Sequence, residues 1–164
     1  SRRLVKPVVL TNGAAMPAYR TSIATLDVPP GWRDQSIVAF RLPPLPGGHD
    51  ASFVMTKDMD KGGTPFADYF AKQADTVARS LPDYAEVKRD LFSAHDRDAA
   101  WLEFRWTNER TTMQLRQVYF DGGSFATIFT LTARPDDIVH HDTEWRRVMA
   151  NIVFDPAPPA PAFP

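Results

Sequence analysis

The segment 99–133, AAWLEFRWTNERTTMQLRQVYFDGGSFATIFTLTA, decides the fold. It contains three runs, 99–107, 111–120 and 125–133, that are rich in aromatic, β-branched and other apolar side chains and are typical of strands. The connections NER at 108–110 and DGG at 121–123 are short and rich in turn-forming residues. We therefore predict that these three strands form an antiparallel meander.

Four more strands are predicted upstream of the meander, at 22–28, 35–42, 51–57 and 84–92. The sequence PPG at 29–31 ends the first, and the proline-rich loop 43–48 ends the second. The strand 35–42 has Val38 and Phe40 on one side and Ile37 and Ala39 on the other. Neither face of this strand is therefore plainly solvent-facing.

Two helices complete the pattern. The first is predicted at 64–81, with Thr64 as N-cap, Pro65 in the first turn and Pro82 after its end. The second is predicted at 136–152, with Trp145 on its apolar face. The order of strands, helix, strands and helix predicts an α+β domain with a twisted antiparallel sheet of about six or seven strands and two main helices.

Two glutamines occupy positions where hydrocarbon is expected. Gln73 interrupts the apolar stripe of the first helix, which also contains Val77 and Leu81. Gln117 alternates onto a mostly apolar side of its strand, together with Leu115. An unpaired buried amide costs roughly 1 to 3 kcal/mol. Each amide is thus expected either to have an internal hydrogen-bond partner or to face a docked molecule, and both explanations stay open on the residues alone.

The composition limits the function. The chain has 164 residues, of which 43% are hydrophobic and 12% aromatic, enough for one domain with a real core. With 19 basic and 20 acidic side chains, nothing favours nucleic-acid binding. The absence of cysteine excludes disulfides and thiolate chemistry. No apolar run approaches the roughly 20 residues of a membrane span, so we expect a soluble, cytoplasmic protein without direct membrane insertion.

The two ends differ from the middle in composition. We expect an N-terminal arm at 1–17, one domain at 18–154 and a Pro/Ala-rich linker or tail at 155–164. The first residue is not Met, which fits either a piece of a longer protein or a chain with a tag remnant. Both interpretations stay open.

Catalytic patterns are weak. The sequence HHDTE at 140–144 is the most metal-like cluster, but adjacent helical residues point about 100° apart, so a solvated helix surface is the favoured interpretation. His49 and His95 lack an accompanying G-x-S-x-G motif. Glu103 and Arg105 share one side of a strand and are expected to form structural ion pairs across the sheet. We expect no enzyme activity, no metal and no cofactor.

Taken together, several short motifs resemble a known family. They are PGWRDQS at 30–36, LP at 42–43, SFVMTKD at 52–58, LP at 81–82 and RQ at 116–117. In this order and spacing they resemble the DcrB-like domain family, and within it the Eag chaperones of type VI secretion. The resemblance covers about residues 19–154. It implies a PsbP-like fold and a homodimer.

The resemblance also implies a function. Eag chaperones hold the N-terminal transmembrane helices of effectors in hydrophobic grooves formed by the sheet and its helix. The positions that match the groove are Ile37, Ala39, Val54, Gln73, Val77, Leu81 and Gln117. Three alternatives stay open: a domain fused to an Rhs-type effector, a DcrB-like envelope protein without chaperone activity, and a small metal-dependent hydrolase.

Overall fold

The computed structural model describes residues 18–20 and 23–156. The chain divides into two contact units, 1–34 and 35–164. In the first unit, β1 (Ala18–Arg20) pairs antiparallel with β2 (Thr25–Asp27). The strand predicted at 22–28 is therefore only three residues long and lies outside the main sheet. The following Pro29 and Pro30 have no N–H to extend a ladder. The predicted arm 1–17 and most of the tail lie outside the described residues.

The second unit contains the main sheet. Its elements are β3 (Ile37–Arg41), β4 (Ser52–Asp58), α1 (Phe66–Ser80), β5 (Ala85–Ala94), β6 (Arg97–Asn108), β7 (Thr111–Asp121), β8 (Ala126–Ala133), α2 (Pro135–Ile138) and α3 (Asp142–Ala150). Short 3-10 helices span Met59–Lys61 and Val139–His141. The strands of this unit form an antiparallel six-stranded sheet in the order β3-β4-β8-β7-β6-β5. The predicted α+β class and the β6-β7-β8 meander are confirmed.

Helices cover both faces of the sheet. On one face, α1 packs on a core that consists of Phe66, Tyr69, Phe70, Ala74, Ala100, Leu102, Phe104, Tyr119 and Ala126. On the other face, α2 and α3 pack on a core that consists of Ala51, Ala99, Val118, Phe120, Phe129, Leu131, Ala133, Ile138 and Trp145. Successive residues of a strand point to opposite faces, so the meander supplies both cores.

The helix ends differ from the sequence prediction. Pro65, not Thr64, is the N-cap of α1, and it provides no side-chain cap. The helix predicted at 136–152 is divided into α2 and α3 by the 3-10 turn Val139–His141. His141 is buried, contrary to the prediction of a solvated surface. It precedes buried Trp145 by four residues and therefore shares its inward side.

A buried polar network crosses the α3 face of the sheet. The Glu103 carboxylate accepts hydrogen bonds from Arg116 Nε at 2.8 Å and from Gln114 Nε2 at 2.6 Å. Arg105 donates to the Gln114 amide oxygen at 2.8 Å. The expected structural ion pair is thus present for Glu103, with Arg116 directly opposite on β7, whereas Arg105 bonds an amide.

Candidate functional site

A row of side chains crosses the sheet on the face that carries α1. Ala39 on β3 lies opposite Val54 on β4, and Val54 lies opposite Thr130 on β8. Thr130 in turn lies opposite Gln117 on β7. Directly opposed residues of a ladder share one face and contact each other. The sheet therefore brings three of the groove positions predicted from sequence into a single line.

The neighbouring row extends this surface. Ile37 lies opposite Thr56, Thr56 opposite Ile128, and Ile128 opposite Tyr119. Ile37 is 68% exposed, although it is a large apolar side chain. We call the surface formed by β3, β4 and β8 on this face the trough; its side chains are Ile37, Ala39, Val54, Thr56, Ile128 and Thr130.

The trough stays open because a single helix is too narrow for this sheet. Six strands at about 4.8 Å spacing extend over about 24 Å, whereas an α-helix is about 10–12 Å across. The helix α1 buries Ala100, Leu102 and Tyr119 on β6 and β7. On the β3–β4 side, Ala39 remains exposed and Val54 is half-buried.

The remaining predicted positions lie on α1. Val77 and Leu81 are half-buried and pack against the core beneath this helix. Gln73 is half-buried on the same helical stripe. Within residues 18–20 and 23–156, its side chain has no hydrogen-bond partner. The Gln73 carboxamide thus keeps its full capacity to donate and accept.

Gln117 is held in one orientation by its neighbour. The Tyr119 hydroxyl donates to Gln117 Oε1 at 2.7 Å, and Gln117 Nε2 donates to Thr130 Oγ1 at 3.4 Å. Burial, assisted by the negative charge of Asp58, raises the pKa of Tyr119 above its usual range, so the phenol stays protonated as a donor. The amide oxygen is therefore engaged internally, while the NH₂ group faces the trough side with one N–H that has no partner among the described residues.

The start of α1 is fixed to the sheet by polar contacts that sequence reasoning missed. The Tyr69 hydroxyl donates to Asp58 Oδ2, at the end of β4. Burial and this hydrogen bond raise the pKa of Tyr69. Lys61, itself buried, donates to the Gly123 carbonyl at 2.5 Å. The sequence gives no local signal for these contacts, because the partners lie on separate elements. They join the first turn of α1 to the end of β4, and the 3-10 helix before α1 to the β7–β8 connection.

Comparison with known proteins identifies the family. The DcrB family profile matches residues 24–151. The chain belongs to the DcrB family. This DcrB-family chain is also 37% identical over 143 residues to "Effector EagT6" of Pseudomonas aeruginosa, a match that covers 87% of this chain and 99% of the relative.

Solved structures agree with this assignment. The crystal structure of PA94 from Pseudomonas aeruginosa, described as a protein of unknown function, has a TM-score of 0.80 at 37% identity and covers 87% of this chain and 99% of its own. LpqN of Mycobacterium tuberculosis, described as involved in cell envelope biogenesis, has a TM-score of 0.50 at 12% identity, with 74% and 85% covered. The second likeness concerns the fold alone. The PsbP-like α+β fold that the sequence resemblance implies is confirmed.

The described part of the DcrB-family chain lacks both a membrane-spanning helix and a metal-binding cluster. No helix there is long and apolar enough to cross a membrane. No group of three or more His, Asp or Glu side chains there is arranged to hold a metal ion. His140 and Glu144 are both exposed, whereas His141 between them points inward, so the three do not converge.

Proposed function

We propose that this protein is a chaperone or adaptor that binds and shields the N-terminal transmembrane helices of a type VI secretion effector. The row Ala39–Val54–Thr130–Gln117 is the observation that carries the proposal. It combines the exposed Ala39 and the half-buried Val54 with the amide of Gln117, whose oxygen accepts a hydrogen bond from Tyr119. The similarity to the relative named "Effector EagT6" supports the same assignment.

The trough suits an apolar helix for energetic reasons. A membrane-spanning helix of about 20 residues would expose its apolar side chains in water. Covering them gains roughly 25 cal/mol per Å² of apolar area removed from water. Ile37 and Val54 supply matching apolar area, because they lie on one face of adjacent strands. Binding therefore removes apolar surface of both the helix and the trough from water.

The amides give the trough a way to distinguish one apolar helix from another. Transmembrane helices associate through small and polar side chains such as Gly, Ser and Thr. Gln73, with its free carboxamide, and Gln117, with its free N–H, can bond such polar atoms. An occupant that left these amides unpaired on burial would lose roughly 1–3 kcal/mol for each. This penalty favours helices with polar groups at matching positions.

We infer that the protein acts in the cytoplasm as a homodimer, without catalytic activity, cofactor, nucleic-acid binding or membrane insertion. It acts either as a free chaperone or as a domain fused to an Rhs-type effector. Light scattering on the purified protein tests the dimer, and a monomeric mass at all concentrations would refute that part.

Co-purification with an effector's hydrophobic N-terminal segment tests the binding. The double variant Gln73→Ala/Gln117→Ala is expected to bind about ten-fold more weakly, because two hydrogen bonds of about 0.5–1.5 kcal/mol each are lost. The control is Lys72→Ala/Asp75→Ala, which changes two exposed residues of the same helix. Equal binding by wild type and the glutamine variant would contradict the assigned role of the amides.

A second pair of variants tests the trough itself. Ala39→Arg places a charge in the trough, while Phe40→Arg places the same charge on the same edge strand but on the opposite face. We expect Ala39→Arg to abolish binding, because a desolvated charge without a partner is costly. Phe40→Arg is expected to retain it. Circular dichroism confirms that both variants fold. Equal binding by the two folded variants would refute the trough as the binding site.

A further inference from the structure

The opposite face of the sheet contains a cleft with a different chemistry. It has a volume of about 530 Å³ and lies between α3 and the strands β5, β6 and β7. Its apolar lining includes Phe92, Trp101, Trp145 and Met149. The two indole rings meet edge to face at 6.0 Å. Cavities of about 300–1,000 Å³ with mostly apolar walls and a few polar groups are typical of small-molecule sites.

The polar residues of the cleft floor pair with one another, one guanidinium with two carboxylates, so that the whole lining, with Lys88 and Arg146, holds three cations against two carboxylates. Arg116 contacts Glu103 at 2.8 Å and Asp142 at 2.7 Å. Glu103 also accepts hydrogen bonds from Trp101 Nε1 and from Gln114. Both oxygens of Glu103 are therefore engaged, so this carboxylate has little left to offer a bound cation.

The rim of the cleft carries a positive excess. Lys88 on β5 and Arg146 on α3 both line the cleft and are exposed. In the described ranges neither has an acidic side chain within salt-bridge distance. The Lys88 ammonium lies 4.2 Å from the centre of the Trp101 ring, a contact that places it beside the apolar wall. A ligand that enters the cleft thus meets aromatic surface together with two cations that have no acidic partner among the described residues.

We propose that this cleft binds a small amphipathic carboxylate. The apolar body of the ligand packs against Trp101, Trp145 and Met149, and its carboxylate pairs with Lys88 and Arg146. The match of charge selects the anion over a neutral or cationic molecule of the same shape. The site lies on the face opposite the trough, so the inference is independent of the proposed helix binding.

NMR titration with octanoate tests the proposal, with the indole N–H signals of the full chain as reporters. Trp101 and Trp145 line the cleft, whereas Trp106 belongs to the α1 side of the sheet and serves as an internal control. We expect octanoate to shift the first two signals in a saturable manner and to leave Trp106 unchanged. The neutral 1-octanol and the cationic octyltrimethylammonium are expected to shift them less at equal concentration.

Charge-removal variants locate the carboxylate. Lys88→Gln and Arg146→Gln are each expected to weaken octanoate binding roughly two- to five-fold, as partly exposed charge pairs do. Lys72→Gln, an exposed cation on α1, is the matched control and is expected to have no effect. Unchanged Trp101 and Trp145 signals, a shift of Trp106 instead, or equal affinity for octanol would each overturn the proposal. Unaltered binding by the Lys88→Gln/Arg146→Gln double variant would do the same.

Discussion

Removal of Glu103 is expected to be among the most destabilising single changes in this chain. Its side chain is 8% exposed and that of its partner Arg116 is 9% exposed. Burial alone lowers the pKa of Arg116, but its bonds to Glu103 and Asp142 raise that pKa above the usual range. The guanidinium is therefore charged in the folded protein and depends on these two carboxylates. Glu103→Ala leaves it with Asp142 alone.

The expected loss in free energy of unfolding follows from the contacts of Arg116 with Glu103 and Asp142. Removing one partner of a buried ion pair typically costs about 3–5 kcal/mol, because the other charge stays buried. Asp142 still contacts Arg116 at 2.7 Å, which places the expected loss near the lower limit, at about 3 kcal/mol. A loss of this size lowers the Tm of a domain of this length by roughly 6–12 °C. Glu103→Gln retains the shape and is expected to cost less, about 1.5–3 kcal/mol.

Urea unfolding followed by tryptophan fluorescence measures the change in free energy of unfolding. The control is Glu86→Ala, which breaks the exposed pair with Arg89, 39% and 42% exposed. That variant is expected to cost less than about 1 kcal/mol. If Glu103→Ala lost no more stability than Glu86→Ala, the buried pair would be energetically equivalent to a surface pair and the reasoning would be wrong.

Three further predictions concern separate parts of the molecule. The backbone N–H of His49 donates a hydrogen bond to the Asp137 carboxylate at 2.9 Å and lowers the pKa of that carboxylate. Asp137 therefore stabilises the fold above about pH 4, and this stabilisation is lost as the pH falls through the lowered pKa. The stability difference between wild type and Asp137→Asn should therefore shrink as the pH falls below about 4. A difference that does not change over this range in urea unfolding would contradict this. Phe70 lies on the buried side of α1 and is 3% exposed, so Phe70→Ala should cost about 3–5 kcal/mol by the same method. Tyr119→Phe should cost about 1 kcal/mol and weaken helix binding two- to five-fold in the co-purification assay, because the Gln117 amide loses its orienting bond; unchanged affinity would show that the orientation is irrelevant.

Much of the fold could be predicted from local pattern. The meander β6-β7-β8 follows from three strands joined by short turns, which leaves little choice of pairing. The helix α1 follows from its apolar stripe and its flanking glycine and proline residues. The division of the last helix did not follow, because a 3-10 turn at Val139–His141 leaves the 3.6-residue periodicity almost unchanged.

The groove residues of the candidate site stay a prediction. Its residues came from a resemblance of short motifs, and the two misplaced amides were visible as breaks in apolar patterns. The restraint on Gln117 by Tyr119 was not predicted, because two residues on one strand can bond only in particular side-chain conformations. The contacts of Asp58 with Tyr69 and of Lys61 with Gly123 were missed for a different reason, since they join separate elements whose relative position periodicity does not show.

The sequence by itself determined the α+β class, the local elements and the two amides among hydrocarbons, because periodicity and turn chemistry are local properties of the chain. Only the tertiary structure decided that β4 pairs with β8, which places Val54 between Ala39 and Thr130 and carries the row on to Gln117. Strand register is set by packing of the whole sheet, and a shift of one residue would turn these side chains to the other face. Because one helix is narrower than six strands, α1 leaves part of that face uncovered.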